Sequence, residues 1–183
     1  MGVVMLLLGV LAIPSGAMAQ QPTASKQRTG GLSVGMNLGL QSGTADDDTA
    51  LALVFNADYY LDQHFSLGPL LQFGFTGDLS QFGMSAQAKY TFDLPRVPEL
   101  KPHLQGGLGF LHMDMDRPPI PAGGEDSDLG FLVPFGGGFE LELSRNLLVG
   151  TTLLLNFTDA DIDSPDRVEN VFMTWIFGVR LVL

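Results

Sequence analysis

The chain has 183 residues, one domain's worth, and no cysteine, which excludes both a disulfide framework and a lipid anchor through an N-terminal Cys. A formal charge of −11 argues against a nucleic-acid partner, because phosphate binding needs a positive surface. Mean hydropathy is +0.23, yet only the extreme N-terminus carries a long apolar run, so the roughly 20-residue apolar stretches of a helical membrane protein are missing.

Residues 1–19 read as a secretory signal. Val3 to Ile13 is an apolar stretch, and Ala17-Met18-Ala19 is a small-residue cleavage site. A membrane anchor is disfavoured, since the run is short and Pro14-Ser15-Gly16 breaks it. The first charged side chain is Lys26, so either the amino group alone supplies the leader's positive end or translation starts upstream. Residues 20–30 read as a flexible periplasmic lead-in, and residues 31–183 as the folded domain.

Eight segments then alternate apolar and polar residues with period two, the signature of strands that present different faces to different solvents. Leu32 to Leu40 places five apolar side chains on one face and Ser33, Gly35, Asn37 and Gly39 on the other. Leu51 to Tyr60, Phe65 to Phe75, Phe82 to Phe92, His103 to Met113, Phe131 to Leu143 and Leu147 to Phe157 follow the same rule. The seventh is the least regular, with Leu148 and Leu154 on its polar face. Val171 to Leu183 is the clearest: Val171, Met173, Trp175, Phe177, Val179, Leu181 and Leu183 share one face. Pro69 and Pro134 each remove a ladder donor, so a bulge or weakened pairing is expected there.

A soluble barrel keeps its apolar residues inside. Its outer face would be polar, the reverse of the pattern read here. The pattern predicts an all-β, eight-stranded antiparallel up-and-down transmembrane barrel with apolar residues facing lipid. Connection lengths agree. Leu61 to His64 and Ser144 to Asn146 are tight, whereas Gln41 to Ala50, Asp114 to Gly130 and Thr158 to Asn170 are long and polar. Such alternation suits short periplasmic turns and longer extracellular loops. Asp93 to Pro102, with three prolines, is the irregular periplasmic connection. Aromatic residues fall near both ends: Tyr59, Tyr60, Phe65, Tyr90 and Phe92 at the periplasmic side, Phe75, Phe82, Phe110, Phe131 and Phe157 at the outer side.

Ala88-Lys89-Tyr90-Thr91-Phe92, the run from Lys101 to Phe110, and Glu140 to Leu147 resemble strand and turn segments of the small outer-membrane β-barrel proteins, the OmpA/OmpX/OmpW-like group. The resemblance covers about residues 30–183. It implies an outer-membrane location in a Gram-negative bacterium, a monomer, contact with outer-membrane lipid and lipopolysaccharide, and insertion by the barrel-assembly machinery. Members commonly end in an aromatic residue read by that machinery. This chain ends in Leu183, while Trp175 and Phe177 keep the apolar spacing.

Five charged residues fall on the inward face: Asp58, Lys89, Glu140, Glu142 and Arg180. All lie a few residues before the periplasmic ends of downward strands, so they are expected to form one layer. The favoured reading is an ion-paired lumen network that plugs the barrel; a gate or proton path is the alternative. Fourteen of the 20 acidic residues lie in the outer connections against only Arg117 and Arg167. That rim should attract divalent cations or basic ligands. Asp159, Asp161 and Asp163 resemble the start of a calcium loop but lack its glycine and its terminal glutamate. No catalytic set and no cofactor motif is read. The expected role is a structural or surface-interaction barrel, not a general porin. The alternatives are a narrow channel for small or apolar solutes, resting on the inward leucines of the seventh segment, and a lipid A-modifying enzyme, for which His112 is the one candidate base at the outer end.

Overall fold

A computed structural model describes residues 29–42, 49–75, 79–115, 127–159 and 171–183. Eight strands follow in chain order: β1 (Leu32–Ser42), β2 (Ala50–Tyr60), β3 (Phe65–Phe75), β4 (Leu79–Thr91), β5 (Leu100–Met115), β6 (Ser127–Ser144), β7 (Leu147–Thr158) and β8 (Val171–Val182). Each pairs antiparallel with its neighbour in sequence, and β1 closes the sheet against β8. Closure leaves no sheet edge within the bilayer, which a membrane requires because lipid offers backbone groups no hydrogen-bond partner. The shortest strands have 11 residues, enough for a tilted strand to cross the hydrocarbon layer. Among the described residues no helix is long and apolar enough to do so.

Burial follows the alternation. The apolar face of β8 is exposed at every position from Val171 to Leu181, whereas Phe172, Thr174, Ile176 and Arg180 between them are buried. Leu108 reaches 71% exposure on β5, tolerable only where the surroundings are lipid. An aromatic chain crosses the lipid face of four adjacent strands, from Phe55 to Phe73 to Phe82 to Phe110, with centroids 6.2, 5.2 and 6.1 Å apart. At the periplasmic end Tyr59, Tyr90 and Phe92 are exposed. Tyr60 departs from its expected place among them. It is 3% exposed and turns inward, because consecutive strand residues cannot share a face.

β4, β5 and β6 run further than the lipid pattern alone indicates. β4 starts at Leu79 instead of Phe82, β5 at Leu100 instead of His103, and β6 at Ser127 instead of Phe131. Ladder pairing continues there outside the apolar layer, where no alternation is demanded. The prolines interrupt the ladder without shifting it. Pairing between β2 and β3 lapses opposite Pro69, and between β5 and β6 opposite Pro134, while the register on both sides of each gap is unchanged. Each proline remains paired on its other side, Pro69 with Ala86 and Pro134 with Asn156. The register shift in the β6–β7 pair falls elsewhere, between Glu142 and Ser144.

Glycines let the inward face coil tightly. A Cβ at Gly138 would collide with the Thr151 carbonyl oxygen of β7, and one at Gly136 with that of Leu153. The periplasmic turns are pinned by side chains. Asp62 Oδ1 accepts from the backbone N–H groups of His64 and Phe65, both at 2.7 Å. Asn146 Nδ2 donates to the Val182 carbonyl at 2.7 Å. The β4–β5 connection folds into successive turns, with Val97 N–H donating to Leu94 and Leu100 N–H to Val97. The expected leader, residues 1–19, lies outside the described residues, as does most of the lead-in.

Candidate functional site: the lumen

Four downward strands each project one charge into the periplasmic half of the lumen. Lys89 Nζ of β4 donates to Glu140 Oε1 of β6 at 2.6 Å. Arg180 Nε of β8 donates to the same oxygen at 2.8 Å. The Arg180 guanidinium also pairs with Asp58 of β2 and donates to Ser33 Oγ at 3.2 Å. Asn56 Nδ2 donates to Asp58 Oδ2 at 2.9 Å, and Asn37 Nδ2 to Asn56 Oδ1 at 3.3 Å. All four charged residues are at most 8% exposed. Two cations and two anions thus cancel, which is how buried charge is tolerated in a narrow interior.

Asp58, Lys89, Glu140 and Arg180 are therefore in one bonded group. Glu142, also expected in this layer, sits two residues nearer the turn, half-buried, where β6 shifts register. Sequence reasoning did not single out the neutral partners Ser33, Asn37 and Asn56. Their signal was available: each is a small polar residue on an inward position of β1 or β2, with Ser33 directly opposite Asp58 in the ladder and Asn56 two residues before it. It also missed Lys101 and His103, which are inward and buried on β5. His103 Nε2 lies 3.1 Å from Thr152 Oγ1.

Above the charges the lumen changes character. Ala52, Val54, Leu70, Leu154 and Ile176 form a buried apolar cluster. Beyond it come amides and a hydroxyl: Gln72 Nε2 donates to Asn156 Oδ1 at 3.2 Å, Asn156 Nδ2 to Thr174 Oγ1 at 3.0 Å, and Gln41 bonds Gln81. A second apolar cluster, Leu111, Met113, Leu132 and Phe172, follows. The order is visible along β8 alone, in Arg180, Ile176, Thr174 and Phe172. Leu148 and Leu154, whose inward placement supported a channel, are 0% exposed. Leu154 belongs to the first apolar cluster, and Leu148 lies against the charge layer. Between the charge layer and the first apolar cluster lies a chamber of about 20 Å³.

The remaining candidates lie elsewhere. His112 faces outward near the outer end of β5, exposed, with Phe82 and Leu129 as ladder partners and Asp114 on the same face. Asp159 is exposed, and its Oδ1 accepts the Phe131 N–H of β6 at 2.6 Å, just past the last β6–β7 ladder pair. Asp161 and Asp163 lie outside the described residues. Among the described residues no cluster of three or more His, Cys, Asp or Glu is placed to hold a metal.

A closed meander with an apolar exterior and a side-chain-filled interior defines a transmembrane β-barrel. The chain belongs to the outer membrane protein beta-barrel domain family, which matches residues 5–180. No curated protein sequence matches it. Its fold is similar to the N-terminal β-barrel domain of Pseudomonas aeruginosa OprF, with TM-score 0.60, 14% identity and coverage of 85% of this chain and 98% of that one. Neisserial surface protein A gives 0.60, 16%, 82% and 95%. Ail, the attachment invasion locus protein of Yersinia pestis, solved with the heparin analogue sucrose octasulfate, gives 0.53, 11%, 84% and 97%.

Proposed function

We propose that this protein is a structural or surface-interaction barrel of a Gram-negative outer membrane whose lumen is shut by its own side chains, so that it is not a general porin. The observation that carries this reading is the Glu140 carboxylate held between Lys89 and Arg180, with two apolar clusters stacked beyond it. An ion crossing that column would leave water for a layer of leucine, valine and isoleucine, at a cost no neighbouring group offsets. Planar-bilayer recording tests it. Wild-type protein should show no large steady conductance, and Arg180→Ala should leak. A large steady conductance from the wild type would overturn the reading.

With the lumen closed, the working surface is the outer loops, since binding concentrates on loops carried by a rigid scaffold. The 14 acidic residues of these loops and the adjoining strand ends favour divalent cations of the lipopolysaccharide layer or basic ligands. The similar Ail barrel is solved with a polyanion, and the charge here favours partners of the opposite sign. Such binding should weaken as salt screens exposed charge. Lipid A from expressing cells should be unchanged in mass; a shift abolished by His112→Ala would replace this reading with an enzymatic one.

A further inference from the structure

The chamber between the charge layer and the apolar cluster is bounded by all eight strands, with Asn56, Gln87, Gln105, Thr152, Leu70 and Arg180 among its walls. Four buried side-chain atoms lack a hydrogen-bond partner among the described residues: Ser66 Oγ, Gln72 Oε1, Gln87 Oε1 and His103 Nδ1. Of these residues Gln87 alone lines the chamber. It is 5% exposed, and its Nε2 is already committed to Ser85 Oγ at 2.8 Å. Its carbonyl oxygen therefore needs a donor that no side chain supplies.

We propose that the chamber is a binding site for a single ordered water, donated to Gln87 Oε1. Volume selects the size: about 20 Å³ holds one water, which needs roughly 10–15 Å³ measured this way, and excludes a hydrated ion. Charge selects neutrality. Lys89 and Arg180 balance Asp58 and Glu140, so a bare cation would shed its hydration shell for a site with no net attraction. Chemistry selects a molecule that both donates and accepts, because the walls mix an unpaired acceptor with the amides of Asn56 and Gln105 and the Thr152 hydroxyl. Leu70 and Ile176 close the apolar side, so this water is isolated and not part of a file.

The inference is independent of the closed-lumen reading, since conductance tests the plug and diffraction tests the chamber. The full-length mature barrel is crystallised from detergent once in sodium chloride and once in thallium nitrate. A solvent peak within hydrogen-bond reach of Gln87 Oε1, without thallium anomalous signal, is expected. An anomalous peak in the chamber would overturn the proposal in favour of a monovalent cation, and a featureless chamber would overturn it outright. In Gln87→Leu the peak should vanish while the Lys89–Glu140 pair is retained; its persistence there would remove Gln87 as the holding residue. If that variant does not fold, the two wild-type data sets still decide.

Discussion

Lys89 and Glu140 stand 51 residues apart in the chain and 2.6 Å apart across the lumen. The same Glu140 oxygen takes the Arg180 Nε hydrogen. Glu140 is therefore the hub through which β4, β6 and β8 are joined inside the barrel, in addition to the ladder that joins them around it. Removing one member of a buried pair leaves an uncompensated charge, at about 3–5 kcal/mol. Glu140→Gln keeps the volume and should lower the unfolding free energy in detergent by that order. A double-mutant cycle with Lys89→Ala and Glu140→Ala should return a coupling of about 0.5–3 kcal/mol. Additive effects would show that the contact contributes nothing to stability.

Gly138 and Gly106 are both on the central part of the sheet but face opposite solvents. A methyl at Gly138 meets the Thr151 carbonyl, which cannot move without breaking the β6–β7 ladder. A methyl at Gly106 points to lipid and meets the Phe135 ring at 3.3 Å, a side chain with room to swing. Gly138→Ala should cost at least about 1–3 kcal/mol, as overpacking does, and reduce the heat-modifiable folded band on gels. Gly106→Ala should leave it unchanged. Equal behaviour of the two variants would refute the steric account.

The barrel was legible because the bilayer imposes one rule on every strand: wherever a residue faces lipid it must be apolar, and the period of two follows. The rule ends where lipid ends. Leu79 to Gln81 and Ser127 to Gly130 belong to strands by their ladder pairing, yet their sequence carries no such signal. Inside the lumen the sequence speaks less clearly. A charge there must find a partner, so Asp58, Lys89, Glu140 and Arg180 stood out. Val54, Leu70 and Ile176 did not, and Leu154 showed only as a lapse in the pattern, because an inward apolar residue has no evident role until its neighbours across the barrel are known. Contacts such as Gln41 with Gln81 or Gln72 with Asn156 join strands far apart in sequence, and a single strand's alternation carries no information about them.

Trp175 is the chain's one tryptophan, and it lies on the lipid face of β8, 52% exposed. Its Nε1 donates to Thr151 Oγ1 at 2.8 Å, and that hydroxyl donates to the Ile176 carbonyl at 3.0 Å. Two polar groups that lipid cannot satisfy thereby satisfy each other. Brominated phospholipid should quench the folded protein's fluorescence strongly and the urea-unfolded protein's weakly. Thr151→Val removes the acceptor and should cost about 0.6 kcal/mol, the average for such bonds in membranes, with a shift in emission. Fluorescence insensitive to brominated lipid would place Trp175 away from the bilayer and contradict the inside-out orientation.

The periplasmic turns should carry an acid-sensitive contribution to stability. Asp93, in the β4–β5 connection, accepts from Lys101 Nζ at 2.6 Å and lies 3.1 Å from His64 Nε2 of the β2–β3 turn. The Lys101 hydrogen bond is the main reason its carboxyl is held below the ordinary 3.8, with burial opposing and the charge of Lys101 and the His64 contact assisting. Asp62 is likewise lowered, by the backbone N–H groups of His64 and Phe65. For a carboxyl whose folded value is depressed, the contribution is complete above the unfolded value and disappears as pH falls through the lower folded one. Wild type should therefore exceed Asp93→Asn in urea midpoint at about pH 6, and the gap should close by about pH 2, when Asp93 is protonated in both states. Lys101 is buried and loses its anionic partner in that range, so acid should loosen the turn. A gap that persists unchanged at the lower pH would show that Asp93 acts through its shape and not through its charge.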